Sequence, residues 1–390
     1  MSHNGTSDRP WIVVIVIYLC LIYPPWILSN AVSGTDFIKG DCYYYRAIII
    51  SLLEDGDLLL ANNIDDVDPL GGQLAVGNDG LVPKHPILMS LVSIPFYKLL
   101  GNRGLLLFNV IDCVVLILLI FKLNRLLVNR YIACLTSVLY ATATLFFNYV
   151  YNYSPDVFAT VFILAGLNLV LRRKYYSGAL FLGFSVFAKL PNALLAGIIL
   201  LYAIWMMLKE RPDETRFAWH KNWLRLACVS TLFVIALVPF GYVNYILFGS
   251  PVVTGYQRTA ERGSTPGEIR ISDHVDKFNQ PFFQGAARLL MDPNSGILPT
   301  NPILILAFLG LLHLPKNSDR RSIYLIIAVC VAQFLTFAKY DDWQTSEFSN
   351  RFLMTFVAGS SVLASFYLKY IGERFFPQTL GEEQTAVQSQ

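Results

Sequence analysis

Of the 390 residues, 55% are hydrophobic and 14% aromatic against only 15% charged, and the formal net charge is +3. Soluble chains carry about 25% charged residues, so this composition, with a mean hydropathy of +0.49, excludes an ordinary soluble domain and points to a polytopic membrane protein. Lys and Arg lie between the hydrophobic runs, which gives nucleic-acid binding no support, and the six cysteines form no CxxC pair, so neither a disulfide framework nor a zinc site is implied.

The first apolar run, residues 11–31, is long enough to cross a bilayer and lacks the small-residue cleavage site of a signal peptide, so it is expected to remain as an anchor. Further spans are predicted at 104–121, 131–150, 157–171, 177–188, 191–208, 224–248, 297–314, 323–338 and 352–369, about ten in all. The run 85–100 is short and contains Pro86 and Pro95, which suits an interfacial or re-entrant helix. If it does not cross, the basic clusters starting at Lys122, Arg172, Lys209 and Pro315 fall on one side with both termini. The positive-inside rule makes that side the cytoplasm. The fold class expected is therefore an all-α polytopic membrane protein, one integral domain over 1–376 with a disordered cytoplasmic tail over 377–390.

Three segments then face outward, 32–103, 249–295 and 339–351, with a short turn "YNYSPD" at Tyr151. In the first, "CYYYRAIIISLLEDGDL" reads as an amphipathic helix on the membrane surface, its tyrosines favouring the interface, ended by the turn at Gly56. The following stretch, up to Pro83, is rich in Asp, Asn and Gly and reads as loop. The carboxylates of "DDVD" from Asp65 suit a hard divalent cation, but without a defined ligand spacing no metal is assigned and no cofactor is required.

Nucleophile elbows, zincin helices and phosphate-binding glycine loops are absent, and histidine is scarce, so carboxylates and cations at the membrane boundary are the available reagents. Asp41 stands just outside the first span, at the depth of a lipid head group, where a carboxylate can take a proton from an attacking hydroxyl or amine; it also suits a helix N-cap. Lys84 enters a proline-led helix as a point charge for phosphate or as a snorkelling boundary lysine. Arg351, at the mouth of the last span, offers a guanidinium fork to phosphate or a salt bridge to Glu347 or Asp342. Lys189 lies between two apolar runs and is a site hypothesis or the mark of an outer turn. Asp156 orients an acceptor or caps the next helix, and Asp112 with Asn109 on one helical face reads as a pair of helix-to-helix hydrogen bonds or as part of a proton path.

Taken in order, "GDCYYYRAIIISLLEDGDL", "KHPILMSLVSIPFYKLLG", "YNYSPD", "FGSPVVTGYQR" and "EFSNRFLMTF" resemble the membrane-embedded GT-C glycosyltransferases, in particular the bacterial protein O-mannosyltransferase-like and aminoarabinose-transferase-like branches. The resemblance covers about residues 11–370 and implies inverting transfer of a sugar from a polyprenyl-phosphate carrier to an acceptor at the extracytoplasmic face of an inner membrane. It implies Asp41 as base or acceptor-aligning residue and Lys84 and Arg351 as donor-phosphate contacts; Lys189 is a further donor-phosphate candidate by its position, and Asp156, Tyr44, Tyr256 and Arg258 are candidates for orienting the acceptor. Many relatives carry two adjacent acidic residues where this chain has Asp41 and Cys42, which weakens a metal-dependent reading and shifts weight to Asp41. A transporter is the main rival reading, given Asp112 and Lys189 among the spans, although no inverted repeat supports it; a non-catalytic lipid-binding assembly subunit is the third.

Overall fold

In a bilayer every backbone polar group must be satisfied within the protein, so apolar runs of this length become helices. The structure is a computed structural model that describes residues 7–31, 37–64, 70–209, 217–265, 268–315, 320–341 and 350–375. Its helices are α1 (Arg9–Asn30), α2 (Asp41–Ile50), α3 (Leu88–Leu100), α4 (Asn102–Asn124), α5 (Arg130–Thr142), α6 (Leu145–Asn148), α7 (Pro155–Leu171), α8 (Tyr175–Ala188), α9 (Asn192–Lys209), α10 (Phe217–Phe248), α11 (Phe282–Met291), α12 (Ile297–Thr300), α13 (Leu304–Leu311), α14 (Arg320–Ala338) and α15 (Met354–Phe375). The helical, polytopic class read from the sequence holds. Among the described residues six helices are long and apolar enough to cross a membrane, α1, α4, α9, α10, α14 and α15 with the turn before it, while α3, α7 and α8 are shorter apolar helices.

Two of the runs read as single spans are broken. Residues 131–150 divide at Ala143 and Thr144 into α5 and α6, and 297–314 divides around Pro302 into α12 and α13. Each break would strand backbone groups in an apolar medium, and they are answered by one another: the Leu145 amide donates to Asn301 Oδ1 at 2.6 Å, and Asn301 is completely buried. Exposure sorts the long helices. Leu21, Ile17, Val234 and Val238 on α1 and α10 are more than half exposed, which makes these the lipid-facing spans. By contrast α15 is buried almost continuously from Met354 to Phe366, through small residues that let neighbouring backbones approach. It is the central post of the bundle, and its Ser360 and Ser361 hydrogen-bond Tyr140 and Asn124.

The first outward-reading segment packs differently from its expectation. Cys42, Tyr44, Tyr45, Ala47, Ile48 and Ile49 of α2 are all buried, so α2 is clamped on several sides rather than floating on lipid by one face, and Tyr44 and Tyr45 are core residues rather than an interfacial belt. Their core includes Leu105 and Phe108 of α4, Phe158 of α7 and Phe187 of α8, which ties the segment to the heads of the spanning helices. The stretch read as loop forms a hairpin, β1 (Gly71–Val76) and β2 (Leu81–Pro83), in which Ala75 and Leu74 are buried while Gln73 is not. The second long segment supplies β3 (Thr259–Arg262) and β4 (Ile269–Ser272), giving an antiparallel sheet of order β2-β1-β3-β4 that joins the two. The alternating pattern was too short to mark these strands without their partners, since two-stranded ribbons are marginal alone. Where the segments meet, Gly255 lies against the Lys84 backbone so tightly that an added Cβ would fall 2.6 Å from Lys84 Cα. Only glycine fits there. The "DDVD" stretch from Asp65 and the tail over 377–390 lie outside the described residues.

Candidate functional site

Four elements far apart in sequence deliver their end residues to one place. Gly40, with φ of +52°, turns the chain into α2 and leaves Asp41 as its first helical residue, so Asp41 is not the N-cap that its type suggested. Its carboxylate instead accepts from Arg351 Nη2 at 2.6 Å. Arg351 heads the buried post α15, and its Nε stands 3.6 Å from Asp156 Oδ2. Asp156 sits in the first turn of α7, which is capped by the Ser154 hydroxyl and opened by Pro155. Its other oxygen pairs with Lys189 at the C-terminal cap of α8. Both carboxylates therefore lie at helix N-termini and Lys189 at a C-terminus, where the helix dipoles favour each sign.

The cluster is braced. Asn109, buried within α4, donates to the Tyr149 and Val150 carbonyls and accepts from the Ser154 amide at 3.0 Å, fixing the turn from which Asp156 projects. Helix-to-helix hydrogen bonds were expected of Asp112 with Asn109; Asn109 instead bonds the connection between α6 and α7, and Asp112 is half-buried. Phe352 presents its ring to both cations, with Lys189 Nζ at 4.9 Å and Arg351 Cζ at 5.3 Å from its centroid. A cleft of about 380 Å³ opens here, lined by Asp156, Lys189, Arg351 and Gln333 among apolar residues such as Leu195 and Phe337. Glu347 and Asp342, the alternative partners considered for Arg351, lie outside the described residues.

A second cleft, of about 300 Å³, is built from the two joined segments and α10: Lys84, His85, Thr254 and Tyr256 form its polar side, Phe240 and Leu247 its apolar side. Lys84 is 6% exposed, donates to the Gly72 carbonyl at 2.6 Å and lies 5.9 Å from the centre of the Tyr256 ring. His85 was not singled out in the sequence, yet its Nδ1 is 3.0 Å from the Tyr256 hydroxyl and its Nε2 3.2 Å from Gln73 Oε1, with Tyr45 stacked on its ring. Beyond Tyr256 the ring of His274 follows, and Tyr340 hydrogen-bonds His274 at 3.1 Å. The motif "PKHP" was the available signal, two polar residues held between prolines, the second restricted in backbone conformation by the proline that follows it. Tyr256 thus joins Lys84 and His85. Tyr44 packs in the core beside Tyr43, and Arg258 donates to the Val76 carbonyl, holding the sheet rather than entering the cluster.

Asp41 lies under the influence of both walls. Burial pushes its carboxyl up, but Arg351, with smaller contributions from His85, Lys189 and Lys84, outweighs this and holds it at about 2. His85 is pushed down by burial to about 3, so its ring is neutral and offers one donor and one acceptor. Cys42, where an acidic residue would strengthen a cation site, has its thiol pushed by burial to about 12 and rests 3.1 Å from Asn152 Oδ1. Asp41 and Asp156 balance Arg351 and Lys189 charge for charge, and Lys84 is buried in the neighbouring cleft.

The family profile of dolichyl-phosphate-mannose-protein mannosyltransferases matches residues 84–239, less than half of the chain. Among solved structures, ArnT from Cupriavidus metallidurans bound to undecaprenyl phosphate is similar over 98% of this chain and 63% of its own, with TM-score 0.63 and 14% identity. The archaeal oligosaccharyltransferase AglB from Archaeoglobus fulgidus, in complex with an inhibitory peptide and a dolichol-phosphate, is similar over 96% of this chain and 52% of its own, with TM-score 0.63 and 15% identity. This chain thus spans less than two thirds of the length of either. No curated protein matches it in sequence. In its fold the chain is similar to ArnT and AglB, and over residues 84–239 it is similar to the dolichyl-phosphate-mannose-protein mannosyltransferase profile.

Proposed function

We propose that this protein transfers a sugar from a polyprenyl-phosphate-linked donor to an acceptor, with inversion, at the extracytoplasmic face of a bacterial inner membrane, both termini being cytoplasmic. The observation that carries the reading is the junction of Asp41, Arg351, Asp156 and Lys189, two carboxylates and two cations drawn from four separate segments to the head of the central helix. Undecaprenyl phosphate and dolichol-phosphate in the two similar structures agree in chemical class with the donor.

In the proposed reaction an acceptor hydroxyl attacks the anomeric carbon, the bond from that carbon to the phosphate oxygen breaks with its electrons going to the phosphate, and the proton passes to Asp41. A carboxylate held at about 2 is a weak base, because Arg351 neutralises it. The same guanidinium is the one suited to the donor phosphate. Donor binding therefore draws Arg351 from Asp41 toward phosphate, which raises the basicity of Asp41 as the leaving group gains a cation. Lys84 and Lys189 supply the remaining charge, a task in which preorganised electrostatics contributes most. The acceptor itself, and the sugar, are to be found by assay.

The test is binding and turnover of a panel of polyprenyl-phosphate sugars by purified wild type and Asp41→Asn in nanodiscs. Donor binding retained with transfer lost supports the reading and names the donor. No binding of any panel member by either protein, with Asp41→Asn silent in cells, removes it.

A further inference from the structure

The gap between Arg351 and Asp156 has a chemical signature of its own. Arg351 Nε and Asp156 Oδ2 face each other at 3.6 Å, too far for a hydrogen bond, and both atoms are buried without any hydrogen-bond partner. Asp156 is only 3% exposed, and both residues line the 380 Å³ cleft. An unmade hydrogen bond at a buried charged group is costly, so each atom is a standing demand, one for an acceptor and one for a donor. An oxygen about 2.8 Å from each fits a separation of this size. A phosphate accepts only and would be repelled by Asp156; an ammonium donates only and would be repelled by Arg351 and Lys189. A hydroxyl does both, as does a water that a substrate hydroxyl would displace. Because the nucleophile's own proton goes to Asp41, the group held here is a different hydroxyl from the one that reacts.

We infer that the Arg351–Asp156 gap is a recognition site for a non-reacting sugar hydroxyl, with Asp156 Oδ2 accepting its proton and Arg351 Nε donating to its oxygen. The inference rests on the glycosyltransferase reading and deepens it: one substrate presents a polyhydroxylated ring to this cleft. Asp156 is then a positioning residue, and the hydroxyl belongs either to the acceptor glycan or to the donor sugar.

The experiment is saturation-transfer NMR on the full chain in nanodiscs, with methyl glycopyranosides, their monodeoxy forms and methyl phosphate as probes, for wild type, Asp156→Asn and Asp156→Glu. One monodeoxy glycoside should bind wild type roughly tenfold more weakly than its parent, as expected for a lost hydrogen bond to a charged group. That loss should disappear in Asp156→Asn and return in Asp156→Glu, while methyl phosphate binds Asp156→Asn as well as or better than wild type. If no deoxy position depends on Asp156, or if methyl phosphate weakens in parallel with the glycoside, the inference is overturned. Repeating the series with polyprenyl-phosphate sugar bound separates the sources: glycoside binding that persists assigns the gap to the acceptor, and glycoside binding that is displaced assigns it to the donor sugar. If no polyprenyl-phosphate sugar binds, the transferase reading fails, and the glycoside series still decides the hydroxyl site on its own. Wild type supplies the parent-against-deoxy comparison even where a variant does not fold.

Discussion

The two walls around Asp41 are made in different ways. The ionic wall of Asp156, Lys189 and Arg351 stands on the ends of α7, α8 and α15, helices packed in the bundle core, and its charges are held by ion pairs and helix dipoles. The hydrogen-bonded wall of Lys84, His85 and Tyr256 stands on two chain segments joined by a small sheet, with Lys84 donating to the Gly72 carbonyl and His85 bridging Tyr256 and Gln73. A wall of paired charges suits the steps in which charge develops, and a wall of one lysine among neutral polar groups suits recognition. Substitutions in the first should damage turnover most, and those in the second should act mainly through binding.

The largest effect is expected at Asp41. Asp41→Asn should lower turnover about 10²–10⁴-fold, the range for a lost general base, with donor affinity nearly unchanged. Turnover within a few fold of wild type would show that the ionic wall is not where the proton goes. Next comes Lys189→Met, which leaves Asp156 buried against a single cation; losing one partner of a buried pair costs about 3–5 kcal/mol. Thermal unfolding in detergent should register it strongly, and the double variant Lys189→Met with Asp156→Leu should recover part of the loss because the orphaned charge is gone. In the other wall, Lys84→Ala removes a cation suited to phosphate and should weaken donor binding by about 10–100-fold, the value of a hydrogen bond to a charged group, with turnover at saturation changed far less. A fall in turnover at saturation equal to that of Asp41→Asn would erase the proposed division between the walls. Tyr256→Phe deletes one neutral hydrogen bond to His85, worth about 1 kcal/mol, and should cost about fivefold in substrate affinity.

The same contrast explains what the sequence made legible. Charges at the edges of apolar runs are conspicuous because burying them is expensive, so Asp41, Asp156, Lys189 and Arg351 could be picked out one by one. Their mutual pairing could not, since 310 residues separate Asp41 from Arg351 and nothing local encodes the contact. The positions of the long helices were visible in hydropathy, but the breaks at Thr144 and Pro302 depend on Asn301 reaching Leu145, which is again a tertiary event. Strands β1 to β4 run from three to six residues and are stable only once paired, so Lys84, His85 and Tyr256 became one wall through a sheet that periodicity alone does not announce. Asp112 drew notice because intramembrane carboxylates are costly, but the residue that braces the site is its neutral neighbour Asn109.

The sharpest separation of the walls lies in pH. His85 titrates near 6.5 when unfolded and at about 3 when folded, because burial disfavours its charged form. The unfolded chain therefore takes up a proton first as pH falls, and the stability tied to neutral His85 is present above about 6.5 and is lost progressively toward 3. Asp41 has its usual value of 3.8 when unfolded and about 2 when folded. Its contribution is fully present above about 4, lost as pH falls through 2, and amounts to roughly 2 kcal/mol at most, at 1.36 kcal/mol per pH unit. The difference in melting temperature between wild type and His85→Gln should thus begin to shift below pH 6.5 in the direction that penalises wild type, whereas the difference between wild type and Asp41→Asn should stay flat down to about pH 4. Coincident onsets in the two series would mean that the walls titrate as one network, with the Asp41–Arg351 pair opening as soon as His85 takes its proton.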